Sequence, residues 1–172
     1  MKRFAIFLCL ALSSLVSADD KVPSKQASDK YRQTIALAKD LSVHEGLPHQ
    51  AWDHELLEKE IKRKDTTKIW LFPFYTPSVP ATNAADLKKV LGSADSILVY
   101  GGPKRCGGYH PDYAVSWEAD GKSFYALVCF GCHEIVFFDG KTSLMYDLNN
   151  VAFDRLQTLL AVYAKKRPHK AK

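Results

Sequence analysis

Beyond its first eighteen residues, the sequence has no apolar run approaching the roughly 18 to 20 residues that a membrane helix needs. It has no G-x-S-x-G nucleophile elbow, no glycine-rich phosphate loop and no pair of carboxylates whose spacing implies acid/base work. No basic stripe interleaved with aromatics is present, so nucleic acid is not an expected partner. Internal repeats and low-complexity tracts are also missing. Cysteine is scarce, with four in 172 residues, and its placement is the most informative feature of the composition.

The first eighteen residues, MKRFAIFLCLALSSLVSA, carry Lys2 and Arg3, an apolar stretch from Phe4 to Leu12 and the small-x-small ending Val16-Ser17-Ala18. That order predicts a signal peptide cleaved near Ala18 and an exported product, periplasmic or secreted. Cys9 has no lipobox-like Leu-Ala-Gly before it, so a lipid anchor is not expected. Cleavage leaves 154 of the 172 residues, enough for one domain with a sizeable core, and lowers the formal charge from +5 to +3. Lys165, Lys166, Arg167, Lys170 and Lys172 read as a frayed, solvated end. Cys106, Cys129 and Cys132 remain, and an odd count in an oxidising compartment leaves at least one thiol free, metal-bound or paired with another chain.

Periodicity places the elements. Residues 19–28 are polar and read as a loose leader; residues 29–167 form the single domain and 168–172 a basic tail. Tyr31, Ile35, Ala38 and Leu41 predict an amphipathic helix over 29–42, ended by the HEGLPH turn. Trp52, Leu56, Leu57 and Ile61 predict a second helix. KIWLFPFY, with its central Pro73, permits an edge strand or an extended loop. A short helix follows, capped by Thr82 or Asn83 and stopped at Gly92; SILVY then reads as a buried strand. Asp120-Gly121 and Asp139-Gly140 between alternating runs are hairpin signals, and Phe130-Gly131 midway between them suggests a third reversal, or else a bulge in one long strand. Asn149 or Asn150 caps a last helix carrying Phe153, Leu156, Leu160 and Tyr163. The fold class is α+β: N-terminal helices, an antiparallel meander of four to five strands, and a C-terminal covering helix.

The chemistry gathers at residues 129–133, CFGCH. C-x-x-C-H is the haem c attachment string, with Cys129 and Cys132 as thioether donors and His133 as proximal ligand, but the following EIVFF is strand-like where small c-type cytochromes continue as a helix. A redox dithiol would want Cys129 at a helix N-terminus, and here it ends a strand. Upstream, Cys106 and His110 form C-x3-H in a glycine-rich loop. Together the pairs supply Cys106, His110, Cys129 and Cys132 for a tetrahedral ion, with His133 as a substitute or neighbouring group and zinc favoured by ligand softness. The competing reading is structural: two cysteines form a disulfide, the third is buried, and the histidines only hydrogen-bond. HEGLPH is not the H-E-x-x-H metalloprotease string, because its spacing is one residue too long and Pro48 interrupts any helix. A protein partner is a further expectation, with Trp52, Trp70, Phe72, Phe74 and Tyr75 as candidate contacts.

Taken in order, HEGLPHQ, FPFY, CGGYHPDYAVSW and CFGCHEI resemble the motifs of a family of small exported bacterial proteins of unknown function. The resemblance implies an exported, single-domain protein and carries no activity, cofactor or catalytic residue with it.

Overall fold

The computed structural model describes residues 23–168; the expected signal peptide and the far end of the basic tail lie outside the described residues. The sheet is larger than the predicted meander, with seven antiparallel strands in the spatial order Val79–Pro80 (β4), Ser42–Glu45 (β1), Tyr113–Ala119 (β6), Lys122–Cys129 (β7), Glu134–Phe138 (β8), Ser143–Leu148 (β9) and Ile97–Val99 (β5). Its centre is the expected run of hairpins: β6 (Tyr113–Ala119), β7 (Lys122–Cys129), β8 (Glu134–Phe138) and β9 (Ser143–Leu148). The Asp-Gly signal is realised at the first turn, where Asp120 and Gly121 both take positive φ, 51° and 69°. β5 (Ile97–Val99) pairs with β9 at one edge. At the other, β1 (Ser42–Glu45) lies between β6 and the two-residue β4 (Val79–Pro80).

β1 falls where the sequence predicted the end of a helix and a turn. The first helix, α1 (Asp29–Leu37), stops five residues before Ser42, and SVHE alternates half-buried and buried residues as an antiparallel strand should. The segment before α1 is not wholly loose: Lys25–Ser28 form a 3-10 turn, Ser28 is buried, and the Tyr146 hydroxyl donates to the Ser24 carbonyl at 2.8 Å.

Side-chain alternation divides the sheet into two faces. On one, Val43, Tyr113, Val115, Trp117, Phe124, Ala126, Val128, Ile135, Phe137, Tyr146 and Leu148 meet Tyr31 and Ile35 of α1, Leu87, Val90 and Leu91 of α3 (Ala84–Leu91), and Ala152, Leu156 and Leu160 of α4 (Asn150–Ala161). Each buried aliphatic or aromatic side chain there contributes roughly 1.5–3 kcal/mol. Asn149 caps α4, its Oδ1 accepting the Ala152 N–H at 2.7 Å. Asn83 holds the N-cap position of α3, but its side chain makes no capping bond: Nδ2 donates to the Leu159 carbonyl at 2.8 Å and Oδ1 accepts from the Tyr163 hydroxyl at 2.8 Å, which ties α3 to α4.

The second face is only partly covered. KIWLFPFY folds back on itself as a hairpin of β2 (Thr66–Ile69) and β3 (Phe72–Tyr75), a separate two-stranded sheet. Its Ile69 and Phe74 pack on Ala114, Leu127 and Val136. α2 (His54–Glu60) precedes it, and its buried Glu60 accepts the Tyr75 hydroxyl at 2.8 Å. Next to the hairpin the face lies open in a cleft of about 700 Å³, lined in part by Ser42, His44, Ser116, Ser123 and Tyr125.

Candidate functional site

CFGCH is the reversal between β7 and β8. Cys129 stands opposite Glu134 in the register, leaving residues 130–133 to turn the chain, and His133 supplies the left-handed residue with φ 56°. The Phe130 N–H donates to Asp112 Oδ2 at 2.8 Å, and the Leu148 N–H donates to the His133 carbonyl at 2.8 Å, so the turn is held from both sides. The His133 ring is exposed and stacks on Phe153, with centroids 3.6 Å apart and planes 6° from parallel. Its place is on the α4 side of the turn.

The loop from Gly101 to Tyr109, between β5 and β6, folds over this turn. Lys104 Nζ lies 3.0 Å from each carboxylate oxygen of Asp147, and the Tyr109 hydroxyl donates to the Leu127 carbonyl at 2.6 Å. Gly107, with φ 80°, leans on the segment before α2: a Cβ there would lie 2.8 Å from Ala51 Cβ and 3.2 Å from His49 Cε1. Between these anchors, Cys106 and Cys132 are joined, with an S–S distance of 2.09 Å and a Cα–Cα distance of 5.6 Å. Two parts of the structural reading are thus present, a disulfide between two of the cysteines and burial of the third, Cys129.

Beneath the loop lie three buried titratable groups. Cys129 is 1% exposed, and burial pushes its thiol up to about 11, against a smaller downward pull from the backbone amides of His110 and Cys132. His110 is also buried; burial, with the charge of Arg167 and the neighbouring His49, brings it down to about 4, and its Nδ1 has no hydrogen-bond partner. The His49 and His110 rings are 4.7 Å apart. Glu134 is 2% exposed; burial raises its carboxyl above the ordinary value, against the pull of Lys104, whose Nζ is 3.8 Å from Oε1. Glu134 and Asp147 are cross-strand neighbours, so Lys104 sits over a row that runs Cys129, Glu134, Asp147 across the sheet.

Set against the expected ligands, the structure joins Cys106 to Cys132, buries Cys129, sets the buried His110 against His49, and stacks His133 on Phe153. Among the described residues no group of three or more His, Cys, Asp or Glu side chains is arranged to hold a metal ion. With Cys132 bonded to Cys106, only Cys129 of the C-x-x-C-H string retains a thiol. Cys129 and Cys132 are not bonded to each other, and a thiol pushed upward by burial is the reverse of an activated nucleophile.

Two constellations carry no sequence motif. In β1, His44 Nε2 lies 3.0 Å from Ser116 Oγ at the open cleft; burial brings His44 down to about 4, and its Nδ1 has no partner, so no third group orients the pair as a catalytic base would require. Glu45, its neighbour, is buried and accepts the backbone N–H groups of Lys165, Lys166 and Arg167. The alternation of SVHE was the one available signal for both. Of the aromatic contact candidates, Phe74 and Tyr75 are core, Trp70 and Phe72 are half-buried, and Trp52 is 63% exposed. No helix among the described residues is long and apolar enough to cross a membrane. Comparison of the chain with protein-family models, with curated proteins and with solved structures finds no match in any of the three.

Proposed function

We propose that the chain is an exported, disulfide-stapled protein-interaction domain, in which the cysteine-histidine cluster fixes a surface loop as delivered. The observation that carries this reading is the Cys106–Cys132 bond. Such bonds persist in the periplasm and outside the cell, which agrees with the signal-like residues 1–18. The remaining thiol, Cys129, is buried and held protonated, as a packing residue is. The stapled loop backs onto Ala51 and Trp52 through Gly107. It thereby supports an exposed indole, a side chain with large contact area and few torsions, well suited to a protein partner.

Peptide mapping of non-reduced protein from an exporting host tests the staple and the export together. Linked peptides containing Cys106 and Cys132, one alkylated thiol at Cys129 and an N-terminus at Asp19 are expected; three alkylated thiols, or Cys129 within a bond, would overturn it. For the interaction itself, a benzophenone photo-crosslinker in place of Trp52 should give discrete adducts in that host. No adduct beyond an irradiated control with the same crosslinker at exposed Val162 counts against it.

A further inference from the structure

Opening the staple changes what the cluster can do. Cys106 Sγ and Cys132 Sγ lie 3.7 and 3.6 Å from the same Gly108 carbonyl oxygen, so both sulfurs face one point of the loop. Cys129 is 1% exposed and ends β7 on the near side of the turn that carries Cys132, and the adjoining Val128 carbonyl accepts the Asp112 N–H at 2.7 Å. The third thiol is thus buried between that turn and the segment that carries His110. His110 is 8% exposed, and its Nδ1 is buried without a partner, an imidazole nitrogen whose lone pair or proton nothing in the fold satisfies. The backbone has room to adjust: a Cβ at Gly108 or at Gly131 would meet nothing within 4 Å.

We propose that reduction of the Cys106–Cys132 bond converts this cluster into a tetrahedral zinc site, with Cys106, Cys129, Cys132 and His110 as its four ligands. The inference rests on the staple being the delivered state and adds a second, reduced state to it. A dithiol reductant breaks the S–S bond and becomes a disulfide itself, leaving two new thiols. Binding of Zn²⁺ by three thiols and one neutral imidazole then releases three protons to solvent, and the bound site carries a net charge of −1, beside the Lys104 ammonium. Sulfurs bonded to each other are not thiolate donors, so the site is closed to metal until the Cys106–Cys132 bond opens. His133 takes no part, because its ring is stacked on Phe153 outside the loop.

The test uses the full exported chain, oxidised or reduced anaerobically with a phosphine that is then removed. Oxidised protein should retain no zinc after gel filtration, whereas reduced protein should retain about one Zn²⁺ per chain. Co²⁺ in place of zinc should give the intense sulfur-to-cobalt absorption of a thiolate-rich tetrahedral site. Cys129→Ser and His110→Ala, each reduced, should bind zinc at least about tenfold more weakly, and His133→Ala should match the parent. The proposal is overturned if reduced parent protein retains no zinc, or if Cys129→Ser and His110→Ala bind as tightly as the parent, which would mean a loose pair of thiols. Circular dichroism of the reduced chain with and without zinc guards against unfolding, since an unfolded spectrum in both overturns it as well. The peptide map of the starting material separates this outcome from failure of the staple itself.

Discussion

Glu45 and Arg167, 122 positions apart in the chain, are locked to each other: the buried Glu45 carboxylate accepts the Arg167 backbone N–H at 3.1 Å, while the Arg167 guanidinium donates to the Gly46 carbonyl and to Asp112. The same carboxylate takes the N–H groups of Lys165 and Lys166 at 3.0 and 2.7 Å. Residues 165–167, which read in sequence as a solvated basic end, are instead a strap across β1. Their charge was legible; their main-chain donors, which do the binding, carry no sequence signature.

Glu45→Ala should therefore cost about 2–4 kcal/mol, because charge-assisted hydrogen bonds contribute more than neutral ones and three amides lose their acceptor together. A stop codon after Ala164 should cost a similar amount, and the double change little more than either alone. Urea denaturation of the four proteins checks this; full additivity would mean that Glu45 and the strap act separately.

Cys106→Ala should also destabilise the fold, by about 3.5 kcal/mol on loop-closure entropy for a sequence separation of 26. Reduced parent protein without metal should show nearly the same urea midpoint as this variant. A midpoint unchanged in both would mean that Lys104 and Tyr109 hold the loop without help from the bond.

The fold was legible where local signals agreed. Asp120-Gly121 fixed one hairpin, the mid-point Phe130-Gly131 indicated the next, and Asn149 marked the start of α4. The first part of the chain was harder to read because β1 is only four residues long and draws its stability from β6, a pairing some seventy residues distant. At the site, the spacing of Cys106, His110, Cys129 and Cys132 pointed to the loop and the turn that the Cys106–Cys132 bond joins. It could not say which two sulfurs would bond, since that depends on how the loop is anchored by Lys104 on Asp147 and by Gly107 against Ala51. Glu134 and Lys104 were missed because the β8–β9 register, not spacing, sets Glu134 beside Asp147, the carboxylate that Lys104 of the loop reaches.

Stability should fall on mild acidification. His44 and His110 are each brought down to about 4 by burial, from an unfolded value near 6.5. Between those values the unfolded chain takes up protons that the folded protein refuses, so their contribution is complete above pH 6.5, is lost as pH falls towards 4, and changes no further below that. Glu134, raised by burial, works in the opposite direction over part of the window. His44→Gln, which keeps a partner for Ser116, should lose distinctly less stability than the parent between pH 6.5 and 4, by an amount no greater than about 3 kcal/mol. Parallel pH profiles of the urea midpoint for the two proteins would show that His44 does not carry the effect.

Two adjacent glycines in the disulfide loop separate backbone strain from close packing. Gly107 and Gly108 both have positive φ, 80° and 94°, so alanine strains either by about 1–2 kcal/mol. A methyl group at Gly108 meets nothing within 4 Å, whereas one at Gly107 would press on Ala51 Cβ at 2.8 Å and on the His49 and Trp52 rings. Gly107→Ala should therefore be the more destabilising change, and it alone should alter the environment of Trp52, read as a shift of the indole N–H resonance. It should also slow formation of the Cys106–Cys132 bond during oxidative refolding, because the loop that presents Cys106 would no longer seat against the segment before α2. Equal destabilisation and equal refolding rates in the two variants would show that the contact with Ala51 does not position the disulfide.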